Sequence, residues 1–197
     1  MTMYANPRKT RSVKFLGPVE LGTLVDDVLA IPEEIWDIEN AGKPNQFAAL
    51  DQTKHIIFRF VNHLDDWRES HNRSLWSDWQ DRLLPILQQA TKPYGYSNGS
   101  FPRIMLARMA PGGVIHPHRD AMPSAKWPHK IHVPLTTNDG VRFFVDPQTY
   151  QFKVGEAVEV NNLDVHAVVN EGKTHRIHLI FEYFDRDQPS WLDNPPA

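Results

Sequence analysis

The chain has 197 residues, 41% of them apolar, a formal charge of −3 and no cysteine. That length supports one domain with a sizeable core, the apolar share excludes a disordered chain, and the missing thiols exclude disulfides and thiolate chemistry. A near-balanced charge offers no basic surface to nucleic acid or an anionic membrane, and no apolar run approaches the ~20 residues of a membrane span or resembles a signal-peptide core; a cytoplasmic protein is expected.

Residues 1–11 are polar and basic, a loose arm. Ser12 to Leu16 alternates as a short strand and is closed by Gly17-Pro18. Between Val19 and Ala30 the apolar residues Leu21, Leu24, Val25, Val28 and Leu29 fall at helical spacing and stop near Pro32, with a further helical turn over Glu33–Asp37. Gly42-Lys43-Pro44-Asn45 is a loop, and His55 to Val61 reads as a strand. The polar segment Asn62–Arg73 reads as exposed chain, with His55, His63, His71 and His129 as surface residues. Leu75–Ala90 carries one apolar stripe of Trp76, Trp79, Leu83, Ile86, Leu87 and Ala90, a helix that Pro85 is expected to kink or divide. The loop Lys92–Gly99 is expected to overhang whatever site the chain builds.

From Phe101 the pattern changes to eight short strands at 103–109, 113–120, 129–137, 141–145, 149–154, 156–161, 165–170 and 174–184. Strands this short and closely spaced predict a mainly β fold with flanking helices around a double-stranded β-helix, a cupin-like jelly roll. The expected organisation is a single domain over 1–197: supporting helices and strands in 1–100, the core in 101–185 and a tail from 186. Two core strands segregate polar from apolar residues. Ile131, Val133 and Leu135 oppose Lys130 and His132; Ile177, Leu179, Phe181 and Tyr183 oppose Arg176, His178 and Glu182. The residue types on the polar faces point to a cavity inside the barrel rather than to solvent.

The segment His116-Pro117-His118-Arg119-Asp120 follows the turn Ala110–Gly113. On an extended chain residues i and i+2 share a face, about 7 Å apart, so His118 and Asp120 project together, and His116 with them. Two imidazoles and one carboxylate on one side of a metal leave three positions open, which suits Fe(II) better than a closed four-ligand zinc site. His166 is the candidate second imidazole. His166 and Arg176 lie equally far from Glu171, so a simple hairpin would set them opposite each other; a jelly roll would instead send the second strand to the facing sheet, with both side chains on one cavity. A buried Arg176 needs a carboxylate to pair with.

His118-x-Asp120, Lys130-x-His132 with the following Val133 to Asn138, Gly155-Glu156, His166-x-x-x-Asn170 and Arg176 to Leu179 together resemble the aspartyl/asparaginyl β-hydroxylase-type family of Fe(II)- and 2-oxoglutarate-dependent oxygenases, over residues 100–185. The resemblance implies that His118, Asp120 and His166 bind iron and that Arg176, with His132 and Lys130, binds 2-oxoglutarate. It implies hydroxylation of an amino acid or peptidyl side chain by dioxygen, with release of succinate and carbon dioxide. Relatives often carry Arg where Lys130 stands, and the best-known aspartyl hydroxylase lacks the carboxylate ligand that Asp120 supplies. His116, Arg108 and His178 are candidate substrate contacts. Two other readings are a cupin-type isomerase or dioxygenase that works without 2-oxoglutarate, using His116, His118 and His166, and a non-catalytic metal- or ligand-binding module.

Overall fold

The computed structural model describes residues 9–44 and 46–187; most of the expected N-terminal arm and nearly all of the tail lie outside the described residues. In chain order the elements are β1 (Val13–Pro18), α1 (Leu24–Leu29), α2 (Glu33–Ala41), a 3-10 turn (Ala48–Leu50), β2 (Thr53–His63), β3 (Asp66–Asn72), α3 (Trp76–Thr91), β4 (Gly99–Ser100), β5 (Ile104–Met109), β6 (Val114–His118), α4 (Pro123–Lys126), β7 (His129–Thr136), β8 (Val141–Val145), β9 (Gln148–Tyr150), β10 (Glu156–Val160), β11 (His166–Asn170) and β12 (Arg176–Asp185).

The strands form two antiparallel sheets. The larger runs β1-β10-β7-β12-β5-β2-β3, with β4 added alongside β12, and the smaller runs β6-β11-β8-β9. This is the expected mainly β fold, a double-stranded β-helix with helices on one outer face. Period-two alternation divides each strand of the larger sheet between two environments. Ile104, Leu106, Ile131, Val133, Leu135, Ile177, Leu179 and Phe181 point outward and pack against Leu24, Val28 and Trp36 of the first two helices and against Leu83, Ile86 and Leu87 of α3. The opposite face turns toward the smaller sheet. Met109, Ile115, Phe143, Val158 and Val168 close one end of that space, and Ile57, Phe60, Met105, Ile180 and Phe184 form a second cluster around Trp67.

Several expectations change. The segment Asn62–Arg73 contains β3, an edge strand paired to β2 through Arg59↔Asn72, Phe60↔His71 and Val61↔Ser70. Its only buried residue is Trp67, which is too weak a pattern to mark a strand in the sequence. The larger sheet therefore draws β1, β2 and β3 from the half expected to support it. Helix α3 continues through Pro85, which sits on the exposed side, where water can reach the carbonyl that proline leaves unpaired. His55 and His129 are buried rather than superficial. The 92–99 loop does not overhang the cavity. Tyr94 and Tyr96 lie on the helix-covered side of the sheet, where the Tyr94 hydroxyl donates to Glu159 Oε2 at 2.9 Å and Tyr96 meets His129 Nε2 at 2.7 Å.

Candidate metal centre and cavity

Gly112, at a φ of +76° that favours glycine, opens the turn into β6 and donates its backbone N–H to Asn170 O at 2.8 Å. Strand β6 pairs with β11 in the register His166↔His118 and then Val168↔Ile115. Two residues, His116 and Pro117, therefore stand opposite the single Ala167. This bulge breaks the alternation. Ile115 and His118 both face the cavity, while His116 is exposed and turned away. The expectation that His116 shares the face of His118 is corrected by that one inserted residue, and with it goes the cupin ligand set built on His116.

His118, Asp120 and His166 converge. Each offers a donor atom, and these atoms lie within 4.8 Å of one another. The rings of His118 and His166 are 4.2 Å apart, and His118 Nε2 lies 3.9 Å from Asp120 Oδ1. The surrounding hydrogen bonds fix which atoms are available. His118 Nδ1–H donates to its neighbour His116 O at 2.8 Å, and His166 Nδ1–H donates to Asp164 O at 3.0 Å. Both rings thus turn Nε2 away from these backbone bonds, the atom a metal would take. Asp120 lies just past the end of β6, held by its N–H to Asn162 O at 2.9 Å. Its Oδ2 accepts from Lys130 Nζ at 2.5 Å and Asn162 Nδ2 at 3.0 Å, leaving Oδ1 toward the imidazoles.

Electrostatics match this geometry. Burial opposes ionisation of Asp120, but the Lys130 ammonium, by its charge and its hydrogen bond, outweighs it and holds the carboxyl well below its usual range. Burial lowers His166 to about 4, so it stays neutral at physiological pH. Lys130 was expected at the cosubstrate; it lines the cavity but is committed to Asp120. Two supporting residues had no signal in the sequence. Fully buried Asn162 bridges Asp120 to Ala125 O at 3.0 Å. Lys9, from the arm, donates to Asn162 Oδ1 at 2.7 Å and to Pro128 O.

The donors open onto a cavity of about 420 Å³ between the sheets, within the range of small-molecule sites. His132, Ala107, Met105, Ile180, Arg103 and Glu182 line it from the larger sheet, and the 3-10 turn with Leu64 and Met122 forms its mouth. Arg176 lies in its wall, 1% exposed. Strand β12 crosses to the larger sheet instead of forming a hairpin with β11, so His166 and Arg176 face one space from opposite sheets. Nη2 of Arg176 donates to His178 Nδ1 at 2.7 Å. Its Nε has no partner, and no carboxylate of the described residues pairs with it. The acids that line the cavity are already engaged, Asp120 by Lys130 and Glu182 by Arg103. His178 shares the face of Arg176 but is buried behind it, outside the cavity lining. Arg108 is corrected outright: it points to the helix side of β5 with Ile104 and Leu106, pairs with Glu33 at 2.6 Å, and stacks over Trp36.

A donor set of two available Nε2 atoms and one carboxylate oxygen fits a divalent ion with open positions, and a buried guanidinium with no carboxylate partner among the described residues fits an incoming carboxylate. Comparison with known proteins agrees. The aspartyl/asparaginyl beta-hydroxylase family model matches residues 34–186. No curated protein sequence matches the chain. Solved structures share the fold at low identity. A 2OG-Fe(II) oxygenase family oxidoreductase from Burkholderia pseudomallei has a TM-score of 0.54 at 18% identity, covering 75% of this chain and 74% of its own. The viral collagen prolyl hydroxylase of Paramecium Bursaria Chlorella virus-1 has a TM-score of 0.54 at 13% identity, covering 88% and 96%. AviO1 from Streptomyces viridochromogenes Tue57 has a TM-score of 0.57 at 14% identity, covering 91% and 92%. The chain belongs to the aspartyl/asparaginyl beta-hydroxylase family and is a 2-oxoglutarate-dependent oxygenase whose cofactors are Fe(II) and 2-oxoglutarate.

Proposed function

We propose that the enzyme hydroxylates a C–H bond of an amino acid or of an amino-acid side chain within a peptide, in the cytoplasm, with release of succinate and carbon dioxide. His118 Nε2, His166 Nε2 and Asp120 Oδ1 would hold the ferrous ion, and the Arg176 guanidinium, with His132 beside it, would take the far carboxylate of 2-oxoglutarate. Bound iron and 2-oxoglutarate supply the oxygen-activating chemistry; the chain supplies position, charge and exclusion of water. Lys130 and Asn162 occupy Asp120 Oδ2, so that carboxylate presents one oxygen to the metal. Ile115, Phe143 and Val168 keep the space beside the imidazoles apolar, and Met105, Ile180 and Phe60 do the same toward the mouth.

The observation that carries this reading is the junction of the two features. The two imidazoles and an arginine with no protein carboxylate face the same cavity from opposite sheets. The apolar lining favours a substrate that presents an aliphatic carbon to the metal. Incubation with Fe(II), 2-oxoglutarate and panels of free amino acids and short peptides, read by mass, tests it: one substrate gains one oxygen atom while succinate accumulates in equal amount. Succinate formation with no amino-acid or peptide product would overturn the substrate assignment, and no succinate at all would overturn the reaction.

A further inference from the structure

Among the described residues, five buried side-chain nitrogen or oxygen atoms have no hydrogen-bond partner, and three of them, Thr53 Oγ1, His55 Nδ1 and Arg176 Nε, belong to residues lining the cavity. Leaving a buried polar atom unpaired is costly, so a cluster of such atoms on one wall marks a site whose partner arrives from outside. The sheet register sets them on one face of the larger sheet, on the two strands that flank β5. Thr53 of β2 pairs with Met109 of β5, which pairs with Arg176 of β12; His55 pairs with Ala107, which pairs with His178. Thr53 and His55 are alternate residues of one strand and so share a face. They are 1% and 3% exposed. Between the β2 pair and the β12 pair stand Met109, buried and outside the cavity lining, and Ala107, which contributes only a methyl group to the cavity wall, so the room for a ligand lies over Ala107.

The charges around this pocket select the ligand. Arg176 is a permanent cation, and Lys43 reaches the backbone oxygen of Thr53 at 3.4 Å. Both carboxylates in the cavity lining are engaged elsewhere. His55 is kept neutral, lowered to about 3 by burial first and by the Lys43 charge next, although the nearby Thr53 backbone oxygen, too poorly aligned to bond Nδ1, pulls the other way, so its ring can donate without adding charge. A hydroxyl, an imidazole N–H and a guanidinium facing one gap form a cradle for a carboxylate.

We propose that Thr53 and His55, from a strand outside the 101–185 segment, complete the carboxylate cradle with Arg176, so that the cosubstrate's far carboxylate is held from β2 as well as from β12. This rests on the reading that the cavity takes 2-oxoglutarate. It predicts opposite signs for one substitution. Thr53→Val keeps the shape and removes an unpaired hydroxyl, so the ligand-free protein should melt no lower than wild type. The same variant should bind 2-oxoglutarate about tenfold more weakly, the loss expected for one hydrogen bond to a charged group. Thr53→Ser should bind as wild type does, and His55→Phe should weaken binding severalfold.

Calorimetric titration of Mn(II)-loaded protein with 2-oxoglutarate, without dioxygen, tests this alongside thermal melts of the ligand-free variants. A wild type that binds, a Thr53→Val variant that binds about tenfold more weakly with an unlowered melting temperature, and rescue by Thr53→Ser are the expected results. Equal binding by wild type and Thr53→Val, or weaker binding accompanied by a lowered melting temperature, would overturn the role of Thr53 while leaving the oxygenase reading intact. A wild type that does not bind 2-oxoglutarate would overturn both.

Discussion

Asp120 is held between two demands. Its Oδ1 faces two imidazoles and its Oδ2 is fastened by Lys130 and Asn162. Asp120→Ala removes the only acid of the donor set and strands a half-buried ammonium, so turnover should fall to background and bound Fe(II) should drop below one per chain, measured by metal analysis. Lys130→Met leaves the donors in place but frees Oδ2, and metal affinity should weaken by roughly tenfold or more, as for other partners of metal ligands. His116→Ala, by contrast, should leave turnover within about twofold, because the side chain is exposed and turned from the cavity. That His118, Asp120, His166 and Arg176 meet at one cavity was legible from the i, i+2 spacing of the first two, the polar face of the strand that carries Arg176, and the family-like order that singles out His166. His116 was misplaced because a bulge carries no sequence signature of its own. Arg108 was misplaced because both faces of β5 are largely apolar, Ile104 and Leu106 on one and Met105 and Ala107 on the other, so nothing in the residues says which face meets the cavity. Asn162 and Lys9 read as ordinary loop polarity; only the fold shows them behind Asp120.

At the scale of elements, the turn between β11 and β12 ties the two halves of the site together, because His166 begins one strand and Arg176 begins the other. Asn170, fully buried, holds that turn: its Nδ2 donates to Thr174 O at 2.9 Å and Ala110 O at 3.1 Å, and its Oδ1 accepts from Asn138 Nδ2 at 3.1 Å. Gly140 and Gly172 pack so closely that a Cβ on Gly140 would come within 2.3 Å of the Gly172 nitrogen. Asn170→Ala should cost about 2–4 kcal/mol of stability, since several backbone groups lose a buried partner at once; denaturant unfolding measures it. The motif His166-x-x-x-Asn170 thus joins a candidate ligand to the clamp that places it. The jelly-roll strands were readable because their alternation is strong and their turns close. Strand β3 was not, because an edge strand with one buried residue has almost no alternation to read.

Across the whole molecule, the cavity exists because two sheets turn polar residues toward each other while the helices bury the apolar face of the larger one. This arrangement buries several neutral histidines. Burial is the first cause at each: His55 is lowered to about 3, and His132 and His178 fall well below the ordinary value, pushed further by the Arg176 charge. Since these folded-state values lie below the unfolded one, the unfolded chain binds more protons on the acid side. Stability is complete above about pH 6.5 and declines as pH falls toward the folded values. With His166, lowered to about 4, these are four histidines, and together they should make unfolding of the metal-free protein at pH 5 take up roughly three to four more protons than at pH 8, measurable from the pH dependence of the unfolding free energy. A flat profile would mean these rings are charged or solvated in the folded state.

The central claim is that two imidazoles and one carboxylate, gathered from β6, the residues just beyond it and β11, bind a single ferrous ion. Anaerobic equilibrium dialysis with Fe(II) tests it most directly across wild type and the single alanine variants of His116, His118, Asp120 and His166. One tightly held ion in wild type and in His116→Ala, and loss of tight binding in each of the other three, is the predicted result. Retention by His118→Ala together with loss in His116→Ala would contradict it.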